Sequence, residues 1–333
     1  MTTIIITGLI ACALSGLLGF LLLPVLRALK AGQSIREVGP TWHNYKAGTP
    51  MMGGLMFIFA LIICLLIAIP VMTDYSVFFV LVLALCFGLI GFLDDFTKIK
   101  YKRNLGLTSI QKMLLQMAVS ALFLYLLYRQ GTLATNLYIP FFNVSIAVHP
   151  MVYIFFAMFV MVGCVNAVNI TDGVDGLASG ATFPVMIFFV VVTYFWGSAY
   201  GALGVFASGL AGGLLGFLIY NFNPAKVFMG DTGSLFLGGA VAALAFAYDM
   251  PLILVILGIV SIVETLSVII QVGYVKLSGG KRILKMAPFH HHLEMGGWLG
   301  HKWTEKQLFV LVVVVSALAG LLSFMGISGR FVA

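Results

Sequence analysis

From Gly176 to Ala225 the chain runs for fifty residues without a charged side chain. At 1.5 Å of rise per residue, about 20 apolar residues cross the roughly 30 Å hydrocarbon core of a bilayer, so this run is too long for one span and long enough for two. Trp196-Gly197-Ser198-Ala199-Tyr200-Gly201 supplies the break between them. Similar runs recur along the 333 residues, of which 62% are hydrophobic and 9% charged, with a mean hydropathy of +1.12. Water-soluble domains hold roughly 45–50% apolar and about 25% charged residues, so no soluble shell can be built here. The runs are continuous and do not alternate, which disfavours a transmembrane β-barrel.

Charges and turn residues divide the chain into ten expected spans. They are Ile4 to Leu26, Met51 to Met72, Val77 to Leu93, Met113 to Tyr128, Met151 to Val168, the two halves of Gly176 to Ala225, Leu235 to Tyr248, Leu252 to Val275 and Gln307 to Met325. A polar, strand-like stretch from Gln130 to His149 precedes the fifth. The fold class is thus an all-α integral membrane protein of ten transmembrane helices, one polytopic domain over residues 1–333. Sixteen of the eighteen Lys and Arg residues fall in one alternate set of loops and span ends, and the opposite set holds only Arg129 and Arg330. The positive-inside rule then places both termini outside and five loops in the cytoplasm. Topology accounts for the net charge of +7 without a nucleic-acid partner. No basic residue precedes Arg27, so the first span is expected to be retained and not cleaved as a signal peptide. Cys12, Cys64, Cys86 and Cys164 lie inside apolar runs without metal-ligand spacing and read as small core hydrophobes.

Eight of the eleven carboxylates, Glu37, Asp94, Asp95, Asp172, Asp175, Asp231, Glu294 and Glu305, fall in or beside the cytoplasmic loops. Asp74 and Asp249 are on the outer side, and Glu264 alone sits within a span. Transporters carry charged residues near the bilayer midplane, so collection at one face favours an interfacial active site, and a transporter would rest on Glu264.

Four clusters carry chemistry. In Gly91-Phe92-Leu93-Asp94-Asp95-Phe96-Thr97-Lys98, adjacent helical residues point about 100° apart. Both carboxylates then ligate one ion only if the helix ends there; otherwise one acts chemically while the other orients a neighbour. A solvated, snorkelling helix end is the bland alternative. In Asn166 to Leu177 two Asp-Gly pairs stop the helix near Asn169, leaving Asn169, Asp172 and Asp175 facing a loop lumen; simple capping of the next helix competes. In Asn221 to Ser234, glycines flank Asp231 just before a span, so backbone amides can face an anion while the carboxylate holds a cation such as Mg²⁺, which prefers oxygen ligands. No Gly-Lys-Ser/Thr follows, so this is not a Walker loop. In Pro288-Phe289-His290-His291-His292-Leu293-Glu294, three consecutive imidazoles do not converge on one metal from a helix. They suit donation to phosphate oxygens, with Lys281, Arg282 and Lys285 adding positive charge, against a basic surface loop as the plain reading. Two weaker features remain. Ser261, Glu264, Val268 and Gln271 share a stripe that either lines a polar groove or bonds neighbouring helices. The turn-rich loop from Gly39 to Gly54 carries Lys46.

Taken together, Lys46-Ala47-Gly48-Thr49-Pro50-Met51-Met52-Gly53-Gly54, Asp94-Asp95, Asn166 to Leu177, Phe228-Met229-Gly230-Asp231-Thr232-Gly233-Ser234 and Pro288 to Glu294 resemble the phospho-N-acetylmuramoyl-pentapeptide transferase family, within the polyprenyl-phosphate N-acetylhexosamine-1-phosphate transferases. The resemblance covers nearly the whole chain in order. It implies transfer of phospho-MurNAc-pentapeptide from UDP-MurNAc-pentapeptide to undecaprenyl phosphate, giving lipid I and UMP for peptidoglycan synthesis. It further implies Mg²⁺, the cytoplasmic face of a bacterial inner membrane, a homodimer and nucleoside antibiotics as inhibitors. Residue by residue, Asp231 resembles the metal ligand and Asp94 and Asp95 the essential pair, with His290 as a further catalytic group. Phe228 matches the aromatic that stacks on uracil. Lys46, Asn169, Asp172, Asp175, Gly176, Asn221 and Gln271 match the nucleoside pocket, and Lys112, Arg282, His290, His291 and His292 the surroundings of the phosphates. One departure is Met51 where the family pattern has threonine, which touches a single pocket hydrogen bond and not the activity. Direct attack by the lipid phosphate and a covalent aspartyl route both fit these residues, with direct attack favoured because a phosphate oxyanion needs little proton abstraction. A sibling transferase using UDP-GlcNAc keeps most motifs and differs at the His-rich and Thr171-Asp172-Gly173 segments.

Overall fold

The computed structural model describes residues 1–29, 46, 48–72, 74, 76–103 and 105–331. Lys30, Arg36, Glu37, the loop residues Gly39 to Tyr45 and Ala47 lie outside the described residues. In chain order the helices are α1 (Thr2–Ala28), α2 (Gly54–Ala68), α3 (Ser76–Tyr101), α4 (Ser109–Arg129), α5 (Pro150–Thr171), α6 (Leu177–Trp196), α7 (Gly201–Asn221), α8 (Gly230–Ala247), α9 (Leu254–Leu257), α10 (Ile259–Leu277), α11 (Phe289–Glu294) and α12 (Glu305–Gly326). Between α4 and α5 an antiparallel hairpin pairs β1 (Asn136–Ile139) with β2 (Val144–Ala147), Asn136 opposite Ala147. This is the strand-like stretch of the sequence.

Nine helices among the described residues are long and apolar enough to cross a membrane. α2 is shorter, at 15 residues, and continues into a 3-10 turn over Ile69–Val71. The chain is a multi-pass helical membrane protein. The split of the fifty-residue run falls where the Gly-containing break predicts it, between α6 and α7. Two boundaries differ from expectation. The single span over Leu252 to Val275 is interrupted, with Pro251 opening a 3-10 turn, α9 lasting one turn and Gly258 preceding α10. α3 runs on past Leu93 to Tyr101, because Lys98 stands three and four residues beyond the two aspartates and pairs with both, a spacing that supports a helix.

α7 and α8 are buried almost all round and form the centre. α1 buries only a stripe, Ile4, Thr7, Ala11, Ser15, Gly19, Leu23 and Leu26, whose three- and four-residue steps trace one helix face. That stripe lies on α7, where small residues let the backbones approach; Ser208 Oγ donates to Ile4 O at 2.6 Å and Tyr220 Oη to Gly16 O at 2.8 Å. Leu21, Phe159, Leu321 and other exposed apolar side chains on outer helices present the surface a lipid environment requires. Thr108 and Thr304 start α4 and α12 with reciprocal capping boxes to Gln111 and Gln307, satisfying two orphan amides at each end.

Candidate active site

The pairing of α3 with α8 creates the main polar site. Gly91 permits it: a Cβ there would fall 2.0 Å from the Asp231 carbonyl oxygen, so any larger residue would push the two helices apart. One turn further along α3, Asp94 and Asp95 are fully buried against the start of α8. Asp95 Oδ2 accepts hydrogen bonds from Thr232 N at 2.9 Å and Thr232 Oγ1 at 2.8 Å, a carboxylate at a helix N-terminus where the dipole favours it. Asp94 Oδ1 accepts from Leu107 N at 2.7 Å, which ties α3 to the start of α4.

α3 does not end at the two carboxylates, yet one oxygen from each of Asp94, Asp95 and Asp231 lies within 4.8 Å of the others. The expectation that convergence needs a helix end is therefore corrected. Asp94 Oδ2 and Asp95 Oδ1 both turn to Lys98 Nζ and Asp231 meets them from α8, so the 100° divergence of the two positions along α3 does not keep the oxygens apart. Two ammonium groups fill the remaining space. Lys98 Nζ stands 2.6 Å from Asp94 Oδ2, 3.5 Å from Asp95 Oδ1 and 3.2 Å from Asp231 Oδ2. Lys112 bonds Asp231 Oδ2 and lies 3.3 Å from Asp94 Oδ1. From α5, Asn169 Nδ2 donates to Asp231 Oδ1 at 2.9 Å and to Ser234 Oγ at 2.8 Å.

A second polar cluster sits beyond α5. Lys46 Nζ lies 2.7 Å from both Asp175 Oδ1 and Glu305 Oε2. Asp175 Oδ2 accepts from Ala225 N at 2.8 Å and Asn223 Nδ2 at 3.2 Å, and Asp175 N donates to Glu305. Asn221 holds the adjoining turns, accepting from Gly176 N at 3.1 Å and donating to Val227 O at 3.0 Å. α5 ends at Thr171, two residues past the expected Asn169, and Asp172 caps it. Asp172 is half-buried. Burial pushes its carboxyl well above the ordinary range, as do the charges of Asp231, Asp95 and Asp175, with Lys46 opposing. Phe228 stands between the clusters, half-buried. Its amide donates to Pro50 O and its carbonyl accepts from Gly53 N, each at 2.8 Å, so the segment after Lys46 and the segment before Asp231 are joined through it.

The three histidines of α11 point to three different partners. His290 Nδ1 lies 3.0 Å from Glu264 Oε2, which also accepts from His290 N at 3.2 Å. Its Nε2 is buried so close to Gly173 that a Cβ there would fall 2.4 Å away, bringing the ring against the loop after α5. His291 Nδ1 is 2.7 Å from Glu294. His292 turns into its own loop, where Nδ1 accepts from Lys285 N at 3.1 Å; burial first and then Lys285 hold its pKa below the ordinary value. Gln271 has both ends of its amide engaged, accepting from Ile283 N and Leu284 N and donating to Leu284 O. Arg282 is exposed on that loop. The stripe on α10 thus bonds its neighbours, since Ser261 accepts from Thr171 Oγ1 at 3.0 Å and Glu264 is joined to His290, which removes the one carboxylate on which a transporter would rest.

The structure brings Lys112, Asn169 and Asp231 together with the Asp94-Asp95 pair. Lys46, Asp175, Gly176 and Asn221 gather in the second cluster, and His290 reaches the loop between the two. Sequence reading missed three members. Lys98 was accessible from its spacing to Asp94 and Asp95. Glu264 as the His290 partner and Glu305 as the Lys46 partner have no local marker.

A model of glycosyl transferase family 4 matches residues 77–249, a segment that contains Asp94, Asp95 and Asp231. The chain is 46% identical over 323 residues to the phospho-N-acetylmuramoyl-pentapeptide-transferase of Clostridium acetobutylicum, covering 97% of this chain and 99% of that protein. It is 44% identical over 322 residues to the one from Staphylococcus carnosus, covering 96% and 98%. With that of Clostridium perfringens the identity is 47% over 312 residues, covering 94% and 96%.

Proposed function

The chain belongs to glycosyl transferase family 4, among the phospho-N-acetylmuramoyl-pentapeptide-transferases, and we propose on that premise that it makes lipid I. It transfers phospho-MurNAc-pentapeptide from UDP-MurNAc-pentapeptide to undecaprenyl phosphate and releases UMP. The observation that carries the reading is the convergence of Asp94, Asp95, Asp231, Lys98 and Lys112 at one end of a membrane-spanning bundle, where a lipid phosphate and a water-soluble nucleotide can meet.

In the reaction an oxygen of the lipid phosphate bonds to the phosphorus that carries the sugar, and the bond from that phosphorus to UMP breaks, UMP keeping the electron pair. Both reactants are anionic, so holding them together is the main task. Three carboxylates against two ammoniums give the cluster a formal charge of −1, which repels phosphates unless another cation is present. The residues suit Mg²⁺ by donor chemistry: all three offer oxygen, and the buried Asp94 Oδ2 and Asp95 Oδ1 accept no hydrogen bond among the described residues, Lys98 being the cation beside them. Asp231, partly open to solvent, would hold the ion together with Asp94 and Asp95. When bound, Mg²⁺ supplies charge neutralisation at the diphosphate and the leaving UMP.

Lys112 and Lys98, each about one-fifth exposed beside the carboxylates, supply ammonium donors to phosphate oxygens. Asn169 orients Asp231. Asp95, fixed on both sides by Thr232 and Lys98, positions more than it attacks, which supports direct displacement over an aspartyl intermediate. Phe228 stacks on uracil, with Asp172, Asp175, Gly176, Asn221 and Lys46 shaping the nucleoside end. His290 and His291 donate toward the diphosphate, while Gln271 and His292 hold the loop that carries them and Arg282 adds charge at its surface. The basic loops support a cytoplasmic site in a bacterial cell membrane, with both termini outside and residues 1–333 as one polytopic unit. A homodimer and inhibition by nucleoside antibiotics belong to the same reading through the family resemblance.

The test is UMP release with undecaprenyl phosphate and, in parallel, UDP-MurNAc-pentapeptide or UDP-GlcNAc as donor. Release with the first alone is expected. Equal release with UDP-GlcNAc, or none with either in the presence of Mg²⁺, would overturn the proposal.

A further inference from the structure

Among the described residues two carboxylates take no part in the site described above, and both line one cavity. Asp74 and Asp249 border a space of about 530 Å³, within the roughly 300–1,000 Å³ of small-molecule pockets. Its walls are apolar, with Phe79 of α3, Phe123 and Leu127 of α4 and Phe246 of α8. Phe79 lies fifteen residues before Asp94 on the continuous helix α3, or roughly 22 Å at 1.5 Å per residue, so the cavity is at the opposite end of the bundle from the carboxylate cluster. Phe79 is itself 44% exposed, which leaves the space open at the bundle surface.

Two polar side chains in the cavity, Tyr153 and Asp249, make no side-chain hydrogen bond among the described residues. Tyr153 lines it and is 2% exposed, yet its hydroxyl makes no hydrogen bond among the described residues. The Asp249 carboxylate accepts none either; Arg330 Nη1 bonds its backbone oxygen instead. Asp74 accepts only from its near neighbour Ser76. Burial pushes the Asp249 carboxyl above the ordinary range against the pull of Arg330. Tyr153 is nine-tenths buried and Asp74 and Asp249 are half-buried, so the Tyr153 hydroxyl and the Asp249 carboxylate face the cavity with hydrogen-bonding capacity left for a ligand or water.

These acceptors, grouped beside an apolar wall, define the chemistry of an occupant. It needs a positive charge, several N–H donors and an apolar body. A primary ammonium has three donors. A quaternary ammonium has none, and an anionic headgroup is repelled. We propose that the cavity binds a membrane lipid with a primary ammonium headgroup, of the phosphatidylethanolamine class. Its ammonium is held by Asp74, Asp249 and Tyr153, and an acyl chain lies along Phe79, Phe123, Leu127 and Phe246. Arg129 is exposed at that end of α4 and offers a cation for the headgroup phosphate.

Native mass spectrometry of the full chain in detergent tests this with ethanolamine-, choline- and glycerol-headed phospholipids of identical chains. The ethanolamine lipid should be retained roughly tenfold more tightly than the choline lipid, as expected for charged hydrogen bonds that only the primary amine can make. Asp249→Asn should bring it down to the choline level while UMP release in detergent stays at the wild-type rate. Tyr153→Phe, which removes one hydroxyl, should weaken it about threefold and carries the test if Asp249→Asn does not fold. Dodecylamine, an ammonium without a phosphate, should displace the lipid. Equal retention of all three phospholipids by the wild type, an ethanolamine preference that survives both substitutions, or no displacement by dodecylamine would overturn the proposal.

Discussion

Two lysine-carboxylate clusters are built from similar residue types and differ in what they leave undone. Around Lys46 two carboxylates meet one ammonium, all three side chains are at most 9% exposed, and Asp175 is closed off by Ala225 N and Asn223. Around Asp231 three carboxylates meet two ammoniums, Asp94 Oδ2 and Asp95 Oδ1 accept no hydrogen bond among the described residues, and Lys98, Lys112 and Asp231 are 17–21% exposed. The first arrangement is complete and locks loops together. The second is one cation short and open to water, which is what a metal-dependent phosphoryl transfer site needs before its substrates arrive. Under the proposed function, similar residue types close one cluster and leave the other open for chemistry, and the balance of charge and the access of solvent separate them.

The largest expected effect breaks the open cluster. Asp231→Asn should lower UMP release by roughly 10²–10³-fold, the usual loss when a group that stabilises charge in the transition state is removed, with thermal unfolding in detergent little changed. Release within about tenfold of wild type at saturating Mg²⁺ would return Asp231 to an ordinary helix-capping role.

The closed cluster should respond in the opposite way. Lys46→Met leaves Asp175 and Glu305 buried together without their cation, a change that costs about 3–5 kcal/mol, so the unfolding temperature should fall markedly. Mg²⁺ dependence of whatever activity remains should not shift. An unchanged unfolding temperature with a raised Mg²⁺ requirement would mean that Lys46 belongs to the metal site.

Phe228, which joins the two clusters through its backbone, sharpens the comparison at its boundary. Phe228→Ala should weaken UMP binding by about 1–3 kcal/mol, the worth of base stacking on an aromatic, while Phe228→Tyr keeps most of the affinity. Equal losses in both variants would assign Phe228 to packing.

The smallest effect concerns the loop that carries the histidines. His292 accepts the Lys285 amide through Nδ1 and has a pKa held below the ordinary value. Its contribution to stability is complete above the unfolded value of about 6.5, and it is lost as pH falls through the lower folded value, when Nδ1 takes up a proton. Hydrogen exchange at the Lys285 amide should be constant, beyond the intrinsic pH effect, above about pH 6.5 and should accelerate as the pH falls below it, by an amount matching one hydrogen bond of roughly 1 kcal/mol. An unaltered protection factor would show that this bond does not hold the loop.

Much of the bundle was legible because charges are so sparse that each one marks a boundary, and the Gly-rich break at residues 197–201 needed no further information. The capping boxes at Thr108 and Thr304 can be read directly as Thr-x-x-Gln, although the expected spans began several residues later. What stayed hidden depends on packing between distant segments. Asp95 and Thr232 are 137 residues apart, and their meeting rests on Gly91 allowing α3 and α8 to touch. Glu305 reaches Asp175 across 130 residues with nothing local to announce it. Gln271 looked available for a ligand because sequence does not show that its amide is engaged by Ile283 and Leu284. The break before α10 was missed because Leu252 to Val275 is apolar enough for one span and Gly258 alone is a weak stop.

The most direct test of the contrast is Mn²⁺ binding to the purified chain, followed by paramagnetic resonance, in wild type, Asp231→Asn and Asp175→Asn. Mn²⁺ accepts the same oxygen donors as Mg²⁺. One site in the wild type, its loss in Asp231→Asn and its retention in folded Asp175→Asn are the predicted results. A site that survives Asp231→Asn, or that disappears equally with Asp175→Asn, would contradict the assignment of the open cluster as the metal centre.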